Sequence, residues 1–206
     1  MTDMPDVDVE VMHREDVVKL FPTAVPASQI AGTGANTRLV RHISGLYFQD
    51  IPRNPLNGCA AFPKHEAEDF GFYSVDLLSC PHPYDGIETM DELRLLLDSP
   101  IDWDWFLDSK FVSTLFHFNG IVYDDLTMAE VVSWYRPGSI SDLAVLVAIK
   151  LPAKKHLIGE DFEIVKTKIW TKEKDRGRQF RKSHSVAYAM VVGLDARLKA
   201  PGFFGI

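Results

Sequence analysis

The stretch that decides the fold spans residues 142–151 and reads DLAVLVAIKL. Its apolar side chains follow one another with almost no polar interruption, which is typical of a strand covered on both faces. The run is far too short to span a bilayer. It therefore predicts the central strand of a buried sheet.

Two stretches further along the chain are predicted to extend this sheet into a three-strand meander. They read DFEIVKTKIW at residues 161–170 and HSVAYAMVVGL at residues 184–194. Upstream, residues 111–125 read FVSTLFHFNGIVYDD, in which Asn119-Gly120 joins two apolar segments. An Asn-Gly pair in that position is the strongest short-range signal of a β-hairpin. The C-terminal part of the chain is therefore expected to be mainly antiparallel.

Short helices are predicted by two capping boxes. Thr89 with Glu92, and Thr127 with Glu130, have the spacing of a capping box. In this motif the threonine side chain accepts a hydrogen bond from the backbone amide of the glutamate, and the glutamate side chain accepts one from the backbone amide of the threonine. Apolar residues follow each pair at helical spacing. We therefore expect a helix to begin after each of these threonines.

The expected fold class is α+β. Residues 38–48 and 70–78 add two predicted strands, whereas residues 1–30 have an acidic start and three prolines and are predicted to form an N-terminal arm. Residues 31–206 are then expected to form a single domain. It would have a mainly antiparallel sheet with a few short helices packed against it.

The composition is that of a soluble globular protein. Hydrophobic residues make up 46% of the 206 residues and charged residues 25%, which excludes extensive disorder. The N-terminus is acidic and lacks the basic and apolar regions of a signal peptide, so a cytoplasmic location is expected. Cys59 and Cys80 match no zinc or redox spacing. We therefore expect two reduced thiols and no cofactor.

Charge is strongly segregated along this acidic chain, whose formal net charge is −7. Residues 1–149 carry 9 lysines and arginines against 23 aspartates and glutamates. Residues 150–182 carry 11 against 5, so half of the basic residues lie in one sixth of the chain. Such segregation of charge along a chain gives information about the partners of a protein rather than about its fold.

The basic residues lie on the second predicted strand of the meander and on the connection after it. If that strand continues past Trp170, the alternation of side chains places its lysines and Trp170 on one exposed face. Arginines of the connection would extend the same surface. The predicted polyanion-binding residues are Lys166, Lys168, Trp170, Lys172, Lys174, Arg176, Arg178, Arg181 and Lys182.

This surface predicts a non-enzymatic binding or assembly protein that contacts nucleic acid or an anionic membrane. Lysine and arginine neutralise phosphates, and a tryptophan among them stacks on a base or lies at the level of lipid headgroups. The acidic remainder of the chain would repel a polyanion and so orient the contact. An alternative is that the basic residues protect an edge strand from aggregation while Trp170 packs locally.

The acidic body of the chain and its termini are expected to contact protein partners or other copies of the chain. Residues 22–25, Pro-Thr-Ala-Val, resemble the Pro-Thr-Ala-Pro late-domain peptide of viral matrix and Gag proteins, with Val25 in place of the final proline. The resemblance implies recruitment of partner proteins during viral assembly, and a small viral or phage structural or accessory protein would fit the overall pattern. At the other end, Phe203, Phe204 and Ile206 either fold back into the core or dock on a partner.

Two other classes of function remain open. A metal-dependent nuclease or another phosphoester-cleaving enzyme would draw on Asp102, His117, Asp124, Glu163 and Lys166. At least three of these would have to converge on one cleft, and Glu163 and Lys166 fall on opposite faces of a regular strand. The other hypothesis is an acidic adaptor or immunity-like protein that binds a basic protein through residues 1–149.

Overall fold

The computed structural model describes residues 7–123, 125–173 and 179–200. The chain divides into two compact units, Met1–Pro81 and His82–Ile206, which we call the sheet unit and the helical unit. The predicted arm and the predicted single domain after it stay predictions, because a division into compact units does not show which parts fold on their own.

A four-stranded mixed sheet organises the sheet unit. Its elements, in chain order, are β1 (Val7–Val11), α1 (Arg14–Leu20), β2 (Val25–Ala31), β3 (Arg38–Tyr47), α2 (Lys64–Asp69) and β4 (Val75–Ser79). The strand order is β1-β4-β3-β2. β1 runs parallel to β4, and β3 runs antiparallel to both of its neighbours. β3 and β4 correspond to the two strands predicted over residues 38–48 and 70–78.

Small side chains allow β2 and β3 to pack closely. A Cβ atom added to Gly45 would lie 2.8 Å from the Cβ atom of Ala27, which is closer than non-bonded carbon atoms normally approach. Ala27 and Tyr47 are fully buried in the core of this unit. The two cysteines, Cys59 and Cys80, are also buried, and neither forms a disulfide.

The helical unit carries most of the helices. Its elements are α3 (Met90–Asp98), α4 (Ser109–Thr114), β5 (Ile121–Tyr123), β6 (Leu126–Thr127), α5 (Met128–Tyr135), α6 (Ile140–Ile149), α7 (Phe162–Lys168) and α8 (Lys182–Lys199). β5 and β6 form a small antiparallel pair. Among the described residues, no helix combines the length and the apolar character needed to cross a membrane.

Residues 142–151 lie mostly in α6, so the predicted central strand is wrong. The Ser139 side chain accepts a hydrogen bond from the Asp142 amide, and Asp142 accepts one from the Gly138 amide, which together start the helix. Every residue from Leu143 to Ile149 is buried. A helix that is covered on all sides is apolar all round, and its sequence then resembles that of a strand covered on both faces.

The other two strands of the predicted meander are also wrong, because residues 162–168 form α7 and residues 182–199 form α8. Asp161 begins α7 by accepting hydrogen bonds from the amides of Glu163 and Ile164. α8 packs against α6 at Gly193, where an added Cβ atom would lie 3.0 Å from Cδ1 of Ile140. The lack of a side chain at this position allows the two helices to approach closely.

The predicted Asn-Gly hairpin is wrong in its partner strands. Residues 109–114 form α4, and β5 pairs with the strand after it rather than with the segment before Asn119. Gly120 does adopt the positive φ, 91°, that an Asn-Gly turn requires. By contrast, both capping boxes are confirmed, and each starts the predicted helix through reciprocal hydrogen bonds.

A candidate polyanion surface and a lysine-lined cleft

The predicted binding residues lie on three consecutive parts of the helical unit. Six of the nine fall within the described part of the chain: Lys166 and Lys168 in α7, Trp170 and Lys172 in the connection between α7 and α8, and Arg181 and Lys182 where α8 begins. Lys174, Arg176 and Arg178 lie outside the described residues. Their predicted binding role stays a prediction.

A buried lysine fixes the connection that carries Trp170 and Lys172. Lys154 is 1% exposed, and its ammonium group donates to the carbonyl oxygens of Lys168 and Thr171. It also forms an ion pair of 2.9 Å with Glu173. The end of α7 and the residues after it are therefore held by a cation that is itself part of the core.

Lys166 is neutralised within the protein. Its ammonium group lies 2.9 Å from a carboxylate oxygen of Glu163 and 3.0 Å from one of Asp142. Hydrogen bonds to these two carboxylates raise the pKa of Lys166. The prediction that Lys166 and Lys168 share one face of a strand is wrong, because both residues lie in α7. Residues two apart on a helix do not face the same side, so Lys168 points away from Lys166. Lys166 offers little charge to an external ligand.

Trp170 is half-buried and packs against the core of the helical unit. The ammonium group of Lys182 lies 5.9 Å from the centre of its ring. Trp170, Lys166 and Lys182 line a shallow recess of about 170 Å³ together with Asp142. The indole ring is thus partly occupied by contacts within the protein.

Trp170 and the remaining described cations form what we call the Trp170 surface, which consists of Lys168, Trp170, Lys172, Arg181 and Lys182. The four charged side chains are exposed. Among the described residues, none of the three lysines has a carboxylate oxygen within 4 Å. No carboxylate of the described part of the chain therefore offsets the charge of these lysines.

The candidate residues for phosphoester cleavage are not brought into one cleft in the described part of the chain. Asp102 caps a short turn by accepting a hydrogen bond from the Asp104 amide. Glu163 pairs with Lys166 on α7. His117 lines a separate cleft, and Asp124 lies outside the described residues. The geometry gives no support to an active site assembled from this set.

The cleft at His117 has a volume of about 830 Å³. Its walls include Leu115, Phe116 and Leu198, and its polar groups include Lys150 and Asp195. Asp195 is buried, and its carboxylate accepts hydrogen bonds of 2.7 Å from the Phe116 amide and 2.9 Å from Lys199. This carboxylate ties the segment before His117 to α8.

Lys150 and His117 form the polar centre of the cleft. The Lys150 ammonium lies 2.7 Å from Nδ1 of His117 and 2.9 Å from the carbonyl oxygen of the same residue. Burial lowers the pKa of Lys150 to about 8. Burial and the neighbouring Lys150 charge lower the pKa of His117 to about 3. His117 also has a φ of 67°, a strained conformation for a residue with a side chain.

Replacing Lys150 by methionine is expected to change how stability depends on pH. The pKa of Lys150 is lower in the folded protein than its usual value of 10.5. The unfolded chain therefore binds more protons between pH 8 and 10.5, and the folded wild type gains stability as the pH rises through this window. Relative to Lys150→Met, that gain is about 2 kcal/mol after allowance for partial exposure.

Urea unfolding of both proteins at pH 7.5, 9 and 10.5 checks this expectation. Other titrating groups are common to the two proteins and cancel in the difference. A difference in stability that is constant across the three pH values would show that Lys150 titrates as an exposed lysine does.

The cleft was not found from the sequence, although one signal was present. Lys150 ends an otherwise apolar run, and a charged side chain at the end of a buried helix must find a partner or reach solvent. The hydrogen-bond partner of Lys150, His117, lies 33 residues away, so local patterns do not reveal it.

Comparisons of the chain with models of protein families, with curated proteins and with solved structures found no match.

Proposed function

We propose that this protein binds a polyanion, either nucleic acid or an anionic membrane, through the Trp170 surface. The observation that carries the proposal is that three exposed lysines next to Trp170, namely Lys168, Lys172 and Lys182, have no carboxylate partner among the described residues. They stand out because the chain as a whole has a net charge of −7. Arg181 adjoins them at the start of α8.

The alternative role of these lysines, protection of an edge strand from aggregation, has no support in the structure, because they do not lie on a strand. Lysines protect a sheet from aggregation when they lie on an exposed edge strand. Residues 162–168 are helical, and residues 169–173 belong to no strand. Edge protection therefore does not account for these exposed lysines, whereas phosphate binding would.

Contacts to phosphate groups are expected to dominate this interaction, with stacking secondary. The Trp170 ring is half-buried, with the Lys182 ammonium near one of its faces. A ring held in this way has little freedom to insert between bases or into a lipid layer. The interaction should then depend strongly on salt and weakly on sequence.

The other two hypotheses have less support. A phosphoester-cleaving enzyme would need its acidic and basic groups in one cleft, whereas the cleft lined by His117 is lined by neither Asp102 nor Glu163. The adaptor hypothesis, in which residues 1–149 bind a basic protein, stays a prediction. A pull-down that is lost when acids of that range are neutralised would favour it over polyanion binding.

A charge-matched pair of variants tests the proposal. The first is Lys168→Gln/Lys172→Gln/Lys182→Gln, and the second is Arg38→Gln/Lys110→Gln/Lys155→Gln, which removes the same charge elsewhere. Labelled single-stranded RNA and duplex DNA would be titrated by fluorescence anisotropy, and phosphatidylserine vesicles by sedimentation.

We expect the first variant to bind its preferred ligand at least about tenfold more weakly than wild type, because three phosphate contacts are lost. The second variant should bind like wild type. Equal losses in both variants would mean that only net charge matters and would contradict the proposal. The ligand that binds best separates nucleic acid from membrane.

A further inference from the structure

The hydrogen bonds of Lys150 leave one donor unassigned. An ammonium group has three N–H donors. Two of them are directed at His117, one at its Nδ1 atom and one at its carbonyl oxygen. Among the described residues no other acceptor receives a hydrogen bond from this group, yet Lys150 lines the cleft. The third donor therefore has no acceptor within the described protein.

The charge of Lys150 is also uncompensated. No carboxylate oxygen of the described residues lies within 4 Å of its ammonium group. The two acids of the cleft have other partners, since Asp195 binds Lys199 and Asp85 lies 3.3 Å from His82. His117 does not balance the charge either, because a histidine that accepts a hydrogen bond at Nδ1 is neutral.

Lys199, the other lysine of the cleft, differs from Lys150 in that its charge has a partner within the protein. Its ammonium group pairs with Asp195 at 2.9 Å and donates to the carbonyl oxygen of Thr114 at 2.6 Å. Its charge is thus neutralised inside the protein. Among the described residues of the cleft, Lys150 is then the one lysine whose charge has no partner, so one negative charge on a ligand is enough to complement it.

The remaining walls define the rest of the ligand. Leu115 and Leu198 contribute apolar side chains, and Phe116 contributes an aromatic ring. A volume of about 830 Å³ is within the range of pockets that hold small organic molecules. A molecule with one anionic group and an apolar body would pair its charge with Lys150 and cover these walls.

We propose that the cleft of the helical unit binds a small organic carboxylate, whose anionic group accepts a hydrogen bond from the third N–H of Lys150. The carboxylate supplies the acceptor and the charge that the described residues do not. This site is separate from the Trp170 surface, and neither proposal depends on the other.

Titration of the protein with acetate, hexanoate and benzoate at pH 7 tests this proposal. Binding would be followed by NMR of protein labelled with ¹³C at the lysine Cε atoms. We expect hexanoate or benzoate to bind saturably and more tightly than acetate, and to shift the Lys150 signal. The bound anion favours the charged amine, so the pKa of Lys150 should rise above its value of about 8 in the free protein.

Two variants complete the test. Lys150→Met should weaken binding at least about tenfold, whereas Lys110→Met, which removes an exposed lysine outside the cleft, should leave it unchanged. A thermal unfolding curve shows whether each variant is folded.

Absence of saturable binding by all three carboxylates would overturn the proposal, as would binding that survives in folded Lys150→Met. Inorganic phosphate provides a further arm. If phosphate binds at Lys150 and no carboxylate does, the site recognises a different anion and the proposal fails. Affinity should also decline as the pH rises through 8, because the neutral amine attracts no anion.

Discussion

Replacing Lys154 by methionine is expected to lower the free energy of unfolding by about 3 kcal/mol, because the change removes the cation from a largely buried ion pair. Lys154 is 1% exposed, and its ammonium group lies 2.9 Å from Glu173. Without it, the Glu173 carboxylate loses its buried cationic partner. The carbonyl oxygens of Lys168 and Thr171 lose a donor as well.

Urea unfolding followed by tryptophan fluorescence measures this effect, and a double variant isolates its cause. Lys154→Met/Glu173→Gln removes both charges of the pair and should recover part of the lost stability, since neutral groups are less costly to bury. A loss below about 1 kcal/mol in Lys154→Met would show that the Lys154 charge is dispensable for the fold.

The same variant connects stability to the proposed function. Lys154 holds the backbone of the connection that carries Trp170 and Lys172, so its loss should loosen this part of the Trp170 surface. We expect Lys154→Met to weaken polyanion binding even at temperatures where the protein is folded. Binding equal to that of wild type would indicate that the exposed lysines act without a fixed arrangement.

Replacing Asp195 by alanine is the second change with a large expected effect, a loss of about 3 kcal/mol in the free energy of unfolding. The buried carboxylate joins α8 to the Phe116 amide and pairs with Lys199. Alanine leaves the Phe116 amide without an acceptor and the Lys199 ammonium without its partner.

Asp195→Asn is the matched control, because its amide oxygen can still accept the hydrogen bond from the Phe116 amide. It should cost about 1 kcal/mol, most of it from the lost ion pair with the half-exposed Lys199. Chemical denaturation of both variants separates the two contributions. Equal losses for alanine and asparagine would assign the effect to charge alone and would contradict the role of the Phe116 contact.

The fold could be predicted where local hydrogen bonding determines it. Thr89 and Thr127 start the helices that their capping boxes predict, because the interactions span only three residues. The prediction of a C-terminal meander was wrong because buried helices are apolar on every side. Val191, Val192 and Leu194 in α8 are all buried, and their consecutive apolar pattern favours a strand when packing is unknown.

The candidate sites, too, could be predicted only where they do not depend on long-range packing. Charge counts revealed the basic segment, since counting needs no structure. The neutralisation of Lys166 did not follow from the sequence, because Asp142 lies 24 residues away and the two approach only when α6 and α7 pack together. The hydrogen bond between Lys150 and His117 depends on contacts that are longer in sequence still. Charge segregation predicts a region, whereas packing decides which of its charges remain available.

The salt dependence of polyanion binding tests the central claim most directly. The association constant of wild type and of Lys168→Gln/Lys172→Gln/Lys182→Gln would be measured from 50 to 200 mM salt with the ligand that binds best. For a nucleic acid, the three lysines are expected to contribute about −2 to −3 to the slope of log K against log salt, so the slope of the variant should be shallower than that of wild type by this amount. Wild type that does not bind at low salt, or a variant with the same slope as wild type, would contradict the assignment of polyanion binding to the Trp170 surface.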